Sequence, residues 1–467
     1  MSENWKIILG LTAFFVIGAL LNFSPVPMSV TKNYREVERA YLAGDDRARA
    51  AALLELAEEL PWRKNLPAAA GKAAYQAGDL ALAEMALERA AQENSLTSTG
   101  KLLLGDIYLA AGKEEQAEDV WRELPGEPSS HRKLADLYFV QGNFSAAVNQ
   151  WQEYQQSLQA ELSLEEQRLV GLLLAVEDPQ KSLPYLEAAS REYPDAQGIL
   201  RAVEGNLEEE PAYRAVVTGQ ALGAYDRWQL AVQAFEKAVK FRPDYVAAWA
   251  YLGEALQHVA EPGRDPLQTL EKARSLEEDS PLANMFLGLY WQRQGSHRTA
   301  LEYFQQTADA WGDRPDVYVE QGRSLAALGE LEEALAKYQQ AVALSDGSGT
   351  YYSRLATFTV EYKYQLKEVG LPAARAAVEL AGQTPEVLTV MGEVMLALDD
   401  PSSAWKFFSR AVEEDQTYAP AHFQLAILYS VEGEDAAAGY HVEQVLTFAE
   451  NPALQERART LQSSLDS

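Results

Sequence analysis

Apolar residues recur at helical spacing along most of the chain. Beyond Val30, pairs of apolar stripes with i, i+3, i+4, i+7 spacing alternate with short turns, and many of these turns hold a glycine. The pattern predicts amphipathic helices joined as hairpins. Because neither helix of a hairpin can bury its apolar stripe alone, the hairpins must stack on one another, which predicts an all-α solenoid.

The hairpins repeat with a period of 34 residues. Gly322 and Gly329 lie 34 residues beyond Gly288 and Gly295, and the same step relates the small and aromatic residues that follow them. About twelve repeats fill residues 30 to 452. They begin near Val30, Lys64, Ser98, Pro128, Ser163, Ala212, Val246, Pro281, Pro315, Gly349, Pro385 and Ala419.

The repeat resembles that of the tetratricopeptide repeat (TPR) family. Trp249, Leu252, Gly253 and Leu256 stand at the spacing W-x2-L-G-x2-[YLW], and later repeat positions hold Gly, Ala and Phe or Tyr. The resemblance implies a right-handed superhelix with a concave groove lined by the first helix of each hairpin. It also implies that the groove binds protein segments.

Irregular stretches divide the predicted solenoid. A first TPR-like arm covers residues 30–196, an irregular half-repeat covers 197–211, a second TPR arm covers 212–452 and a capping helix covers 453–467. The superhelix is expected to kink at the half-repeat.

The repeat at Gly349 departs from the pattern. It carries two extra residues, and Lys363 replaces the turn glycine. Its aromatic residues either pack a lengthened helix pair or form a docking knob. They are Tyr351, Tyr352, Phe358, Tyr362 and Tyr364.

The amino-terminal 29 residues differ from the repeats. The run from Trp5 to Leu21 is almost wholly apolar, has Lys6 as its only charged residue and includes Phe14 and Phe15. As a helix it reaches roughly 25 Å, close to the thickness of a hydrocarbon layer. Residues 1–29 are therefore predicted to form a transmembrane anchor and a short linker containing proline, with Trp5 and Lys6 at the interface.

A cleaved signal peptide is the alternative for this segment. A cut after Ala19 would place bulky Ile17 where a small residue is needed, which favours a retained anchor. Lys6 and the amino group favour an inside amino end. The solenoid is then expected on the extracytoplasmic side of a single-pass bacterial membrane protein.

Charge and residue content exclude several functions. The chain has 40 Lys and Arg against 69 Asp and Glu, a net charge of −29, so nucleic-acid binding is not expected. It has no cysteine, and its five histidines are scattered. Phosphate-loop, zinc and nucleophile motifs are absent from the sequence. We therefore predict no enzymatic activity, no cofactor and no metal.

The groove is predicted to be the working surface. Acidic residues predominate at its expected positions, which include Glu254 and Glu393. Apolar candidates lie beside these acidic residues. Either a partner covers the apolar candidates, or the neighbouring repeats and the capping helix do. The predicted partner-binding residues are Glu254, Met285, Leu289, Arg323, Glu393, Phe423 and Ile427.

A partner that offers an apolar segment with basic flanks would fit such a groove. On this interpretation Phe423→Glu weakens partner capture without unfolding the chain. The sequence thus predicts a membrane-tethered scaffold that holds partners of an envelope complex. Two alternatives stay open: a chaperone-like escort for translocated polypeptides, and a subunit of a cell-wall or glycan machine.

Overall fold

The protein consists of α-helices joined by short turns. The computed structural model describes residues 27–158, 161–259, 263–449 and 451–465, and these form 26 α-helices and no β-strand. The chain divides into two compact units, of which the first ends at Arg201 and the second begins at Ala202. The predicted helical hairpins are confirmed in both.

The first unit contains five hairpins, α1/α2 to α9/α10, and the chain then continues into the single helix α11. These helices are α1 (Met28–Ala43), α2 (Asp46–Glu59), α3 (Asn65–Gln76), α4 (Leu80–Gln92), α5 (Ser98–Ala110), α6 (Glu114–Arg122), α7 (Pro128–Val140), α8 (Phe144–Ser157), α9 (Leu164–Glu177), α10 (Pro179–Ala189) and α11 (Pro194–Glu204).

The second unit contains seven hairpins, α12/α13 to α24/α25, and the terminal helix α26. These helices are α12 (Pro211–Ala224), α13 (Trp228–Phe241), α14 (Val246–Leu256), α15 (Pro266–Leu276), α16 (Pro281–Arg293), α17 (His297–Trp311), α18 (Pro315–Ala327), α19 (Leu331–Leu344), α20 (Gly349–Glu361), α21 (Leu371–Ala381), α22 (Pro385–Ala397), α23 (Pro401–Glu414), α24 (Ala419–Glu432), α25 (Asp435–Phe448) and α26 (Pro452–Leu465).

A left-handed residue ends the first helix of most hairpins. Glycine adopts this conformation without steric cost and lets the last carbonyls of the helix find donors. The glycines are Gly44, Gly78, Gly112, Gly142, Gly295, Gly329 and Gly433, with φ between 69° and 79°. Where glycine is missing, Asp226, Lys363 and Asp399 take φ of 57°, 49° and 62°. The hairpin geometry therefore imposes this conformation even on lysine.

A close approach between the two helices holds each hairpin together. The ring of Phe235 lies against Gly219, where an added Cβ would fall 2.5 Å from the ring, and Tyr338 lies against Gly322 in the same way. The larger partner is buried, which contributes roughly 1.5–3 kcal/mol per side chain. A side chain at either glycine would overpack the contact and cost about 1–3 kcal/mol.

The first helices of successive hairpins contact one another. Helix α3 contacts α5 in the first unit, and in the second unit α12, α14, α16, α18, α20, α22 and α24 contact each other in succession. We call the first helices of each unit the inner row; in the second unit their contacts run without a break, and in the first unit α3 contacts α5.

Aromatic N–H groups tie several first helices to the preceding turn. Trp249, His131 and His422 are each the fourth residue of their helix. Each ring donates a hydrogen bond, 2.8 to 3.0 Å long, to the backbone carbonyl six residues earlier. Histidine thus replaces tryptophan at one repeat position because both rings carry a donor there.

The irregular hairpin α20/α21 absorbs its extra residues in a π-helical turn, Leu366–Gly370. Phe358 is buried and stacks on Tyr338, with ring centroids 4.8 Å apart, and Tyr362 and Tyr364 pack around it. The aromatic residues of this repeat therefore pack the helix pair, which decides between the two alternatives left open by the sequence.

The amino-terminal anchor is not part of the described structure. Among the helices of residues 27–465 that the structure describes, none is both long and apolar enough to cross a bilayer. Trp5, Lys6, Phe14, Phe15 and Leu21 lie outside the described residues. The transmembrane anchor and the extracytoplasmic location stay predictions.

Candidate functional site

A cavity of about 670 Å³ opens on the inner row of the first unit. Helices α3, α5 and α7 form its walls, and Leu87 of α4 lies at its floor. The side chains that line it are Lys72, Tyr75 and Gln76 of α3, Thr99, Leu102, Leu103 and Asp106 of α5, and Ser129 and Lys133 of α7. The cavity therefore combines an apolar centre with hydrogen-bonding and charged groups.

The two lysines of the cavity differ in whether they form an ion pair. Lys133 Nζ lies 2.6 Å from Asp106 Oδ1, and both side chains are about one third exposed. Lys72 is exposed, and within the described residues no ion pair joins it. The cavity thus presents one available cation, Lys72, which attracts an anionic group at this point even though the net charge of the protein is −29.

Tryptophan packing fixes the cavity wall. Trp121 of α6 is 1% exposed, lies against Gly105 and donates from Nε1 to the carbonyl of Leu102 at 3.3 Å. Lys133 Nζ lies 5.8 Å from the centre of the same ring. Trp121 therefore contacts both Leu102 and Lys133, and contacts within the chain itself hold this wall of the cavity in place.

The arrangement suits binding. Volumes of this size hold small ligands or short segments of a partner chain. Leu102, Leu103 and Tyr75 offer apolar contact, Gln76 and Thr99 offer hydrogen bonds, and Lys72 offers a charge. Within the described residues, no three His, Asp or Glu side chains are placed to hold a metal ion.

Glu254, predicted to face a partner, binds its own chain. Arg293 donates to both carboxylate oxygens at 2.6 and 2.9 Å, and His258 Nε2 lies 3.3 Å from one of them. Burial raises the pKa of Glu254, but the hydrogen bonds from His258 and Arg293 outweigh it and hold the pKa below its ordinary value. The carboxylate connects α14 to α16, and its side chain is only 12% exposed.

Met285, Leu289 and Arg323 keep partial access. Met285 and Leu289 are half-buried and pack in one cluster with Phe304 and Val317. Arg323 is exposed and pairs with Glu320 at 3.0 Å. These three stay candidates for partner contact.

Phe423 is not an open groove residue, which corrects the prediction. It is 5% exposed and packs in a core cluster with Ala458 of the terminal helix α26, while Arg457 lies 4.5 Å from the centre of its ring. Ile427 packs against the same cluster. The alternative that the capping helix covers this pair therefore holds, because α26 packs on the last described hairpin.

Glu393 lies beside this covered end. Gln424 donates to its carboxylate at 2.6 Å, and burial raises the pKa of Glu393 above its ordinary value. Glu393 and Gln424 connect α22 to α24, as Glu254 and Arg293 connect α14 to α16.

The sequence placed its partner-binding residues in the second unit and passed over the cavity of the first. The signal was present, because Lys72 and Asp106 stand at the same repeat position as Glu254 and Glu393, and apolar Leu102 lies one helical turn before Asp106. Acidic residues are the largest group at this repeat position, so the single lysine was passed over. The register between α5 and α7 brings Lys133 to Asp106 and leaves Lys72 available. The repeat pattern of the sequence does not contain this register.

Two histidines also meet unexpectedly. His422 Nδ1 and His441 Nδ1 lie 2.8 Å apart, and His422 is 2% exposed. Because His422 donates from Nε2 to the carbonyl of Gln416, its Nδ1 accepts and His441 Nδ1 donates. Burial and the neighbouring His422 lower the pKa of His441 to about 4, and burial also lowers the pKa of His422.

The fold defines a helical-repeat protein built of stacked helical hairpins. The sequence model of the tetratricopeptide repeat matches residues 68–131 and 287–349. These two stretches of the chain thus match tetratricopeptide repeats, and the chain is similar in sequence to lipopolysaccharide assembly protein B. No enzyme family is found to match it.

Two bacterial proteins are similar in sequence. Lipopolysaccharide assembly protein B of Escherichia coli strain K12 is 25% identical over 233 residues, which are 47% of this chain and 56% of that protein. TPR repeat-containing protein YpiA of Bacillus subtilis strain 168 is 35% identical over 77 residues, 16% of this chain and 18% of the relative. The matched region thus spans about half the length of the first relative.

A solved structure is similar along most of the chain. The crystal structure of the yeast Tom70 matches with a TM-score of 0.46 and 12% identity, covering 94% of this chain and 95% of Tom70.

Proposed function

We propose that the protein is a membrane-tethered scaffold whose cavity in the first unit holds an extended segment of a protein partner. The cavity on the inner row, with the available cation Lys72 beside Leu102 and Leu103, is the observation that carries this proposal. TPR repeats imply protein or peptide partners. The similarity to lipopolysaccharide assembly protein B favours a role in assembly of the bacterial envelope.

The cavity suggests which segment is bound. In the second unit, acidic residues at the expected groove positions favour a partner with basic flanks, which remains part of the proposal. At the cavity itself the chemistry favours an apolar side chain over Leu102 and Leu103 with a carboxylate opposite Lys72.

Lys72→Glu is expected to reduce partner capture about tenfold, because it replaces attraction of a carboxylate by repulsion, roughly 1.5 kcal/mol or more. Tyr75 lines the cavity and is 42% exposed, so a photoreactive residue at position 75 of the full chain captures whatever occupies the site. The measurement is the yield of crosslinked product in the native host, with and without Lys72→Glu.

The matched control is Lys240→Glu, an exposed lysine of α13 that makes the same change of charge. One stoichiometric product that Lys72→Glu removes and Lys240→Glu leaves supports a scaffold. Equal yields in both variants would contradict the site, and a smear of many products would favour the chaperone-like escort.

We further propose that residues 5–21 are retained as the tether and that the repeats lie on the extracytoplasmic side. Alkaline phosphatase fused after Ser467 is expected to be active in a bacterial host, because the enzyme folds only outside the cytoplasm. An inactive fusion protein of full length would place the repeats on the other side.

A further inference from the structure

The outward face of α1 carries a basic stripe. Met28, Lys32, Arg35, Arg39 and Leu42 are all exposed, and their spacing of i, i+4, i+7, i+11 and i+14 places them within one narrow arc of the helix. The opposite side of α1 is buried through Val30, Asn33 and Ala40. Three cations thus lie in a line between two exposed apolar side chains.

The turn after α2 carries two further cations and a tryptophan. Trp62 is 72% exposed, and Arg63 and Lys64 beside it are exposed. Helices α1 and α2 are antiparallel, and Val30 and Leu60 share one core cluster, so this turn lies at the end of the hairpin where α1 begins. We call the stripe and this turn the basic face: Met28, Lys32, Arg35, Arg39, Leu42, Trp62, Arg63 and Lys64.

The basic face contrasts with the rest of the molecule. Residues 27–64 contain seven Lys and Arg and seven Asp and Glu, so their formal charge is 7 − 7 = 0, whereas the whole chain carries −29. Among the described ion pairs, only Arg39 of this face takes part, with Glu36 at 3.8 Å and with 79% of its side chain exposed. The fold therefore makes little use of these cations.

We infer that the basic face docks α1 along the surface of a bilayer containing anionic phospholipid. Charge complementarity favours this partner, since cations next to a membrane segment are attracted to anionic headgroups and tryptophan prefers the interface. The chain itself brings the face there. From Leu21, the end of the predicted span, to Met28 are seven residues, which extend at most about 25 Å.

This docking makes a prediction that the tether alone does not. Leu42 lies 14 residues beyond Met28, about 21 Å along α1. A helix that lies on the bilayer places Leu42 among the headgroups, whereas a hairpin that is only tethered leaves it in water. The inference uses the proposed tether only to bring α1 to the bilayer.

The test uses the full chain reconstituted with vesicles. The sequence has no cysteine, so Leu42→Cys carries a single environment-sensitive fluorophore, and Val431→Cys, 82% exposed on α24, is the control label. With vesicles of phosphatidylcholine and phosphatidylglycerol, the label at position 42 is expected to shift to the blue and to be quenched at least twofold by headgroup nitroxide lipids. Pure phosphatidylcholine should give neither effect.

The triple variant Lys32→Glu, Arg35→Glu, Arg39→Glu is expected to abolish the quenching while the protein still floats with the vesicles. Lys240→Glu, Lys406→Glu, Arg410→Glu makes the same change of charge on exposed residues of the second unit and should keep the quenching. Circular dichroism verifies that both variants keep their helices.

The outcomes separate the two proposals. Flotation with both vesicle types and an unquenched label at position 42 overturns docking and leaves the tether. Flotation only with phosphatidylglycerol overturns the tether and supports docking, whereas no flotation with either overturns both. Quenching that survives the triple variant also overturns docking through the basic face.

Discussion

Replacing Phe423 by alanine is expected to destabilise the carboxyl-terminal hairpin by about 3–5 kcal/mol. The ring is 5% exposed and packs among Val442, Val445 and Ala458, so its removal leaves a cavity between α24, α25 and α26. Because each repeat of a solenoid contacts only its neighbours, the loss should appear as local opening of these three helices. Urea unfolding followed by circular dichroism and hydrogen exchange of α24–α26 measure it.

Phe241→Ala is the matched control, because Phe241 is 58% exposed and its truncation should cost less than about 1 kcal/mol. Equal urea midpoints for the two variants would show that α26 does not cover Phe423. Phe423→Glu should follow Phe423→Ala, since it buries a carboxylate in place of a ring. Any loss of partner capture in that variant would then report unfolding instead of a groove contact.

Acidification from pH 7.5 to 4.5 is expected to remove about 2 kcal/mol of stability through the histidine pair. The folded pKa of His441 is lowered to about 4, below the ordinary value of 6.5. The unfolded chain therefore binds more protons between these values, and stability falls as the pH falls through this window. His422 adds to the effect in the same direction, because burial lowers its pKa as well. The hydrogen bond from His422 to the carbonyl of Gln416 and the charge of Asp415 oppose this lowering of the pKa.

The chain provides its own control for the pair. His131 and Gln150 occupy the same positions in the hairpin α7/α8 as His422 and His441 in α24/α25, and their side chains lie 2.9 Å apart. His441→Gln should therefore keep the stability of the native protein at pH 7.5. At pH 4.5 the variant should unfold at a higher urea concentration than the native protein, because it lacks the imidazole whose protonation destabilises the native fold while carboxylates elsewhere titrate equally in both. An identical pH dependence in the two proteins would exclude the pair as its source.

The repeat architecture could be predicted because it depends on local chemistry repeated along the chain. Gly288 and Gly322 lie where an aromatic ring of the second helix comes closest, and Gly44 or Gly78 lies where the turn requires a positive φ. Each signal involves residues of one hairpin, so spacing alone reveals it. Even the exception at Lys363 was marked by the missing glycine.

The site residues were predicted less well because their accessibility depends on contacts between hairpins. Glu254 meets Arg293 across 39 residues, and Phe423 meets the terminal helix, so neither is free. Which side chains meet in this way depends on the register between helices, which a repeat pattern does not contain. The register between α5 and α7 also leaves Lys72 available in the cavity. In the sequence, Lys72 is only a single lysine among several acidic residues at the expected groove positions.

Helix α26 closes one end of the repeat array. A hairpin that ended at Phe448 would expose the apolar groups Phe423, Val442 and Val445, and this surface would resemble the one that each hairpin offers to its successor. Copies joined head to tail through such an end have no symmetry that stops their growth, so they form filaments. Helix α26 thus covers this surface, and deletion of Pro452–Leu465 is expected to make copies of the chain associate end to end.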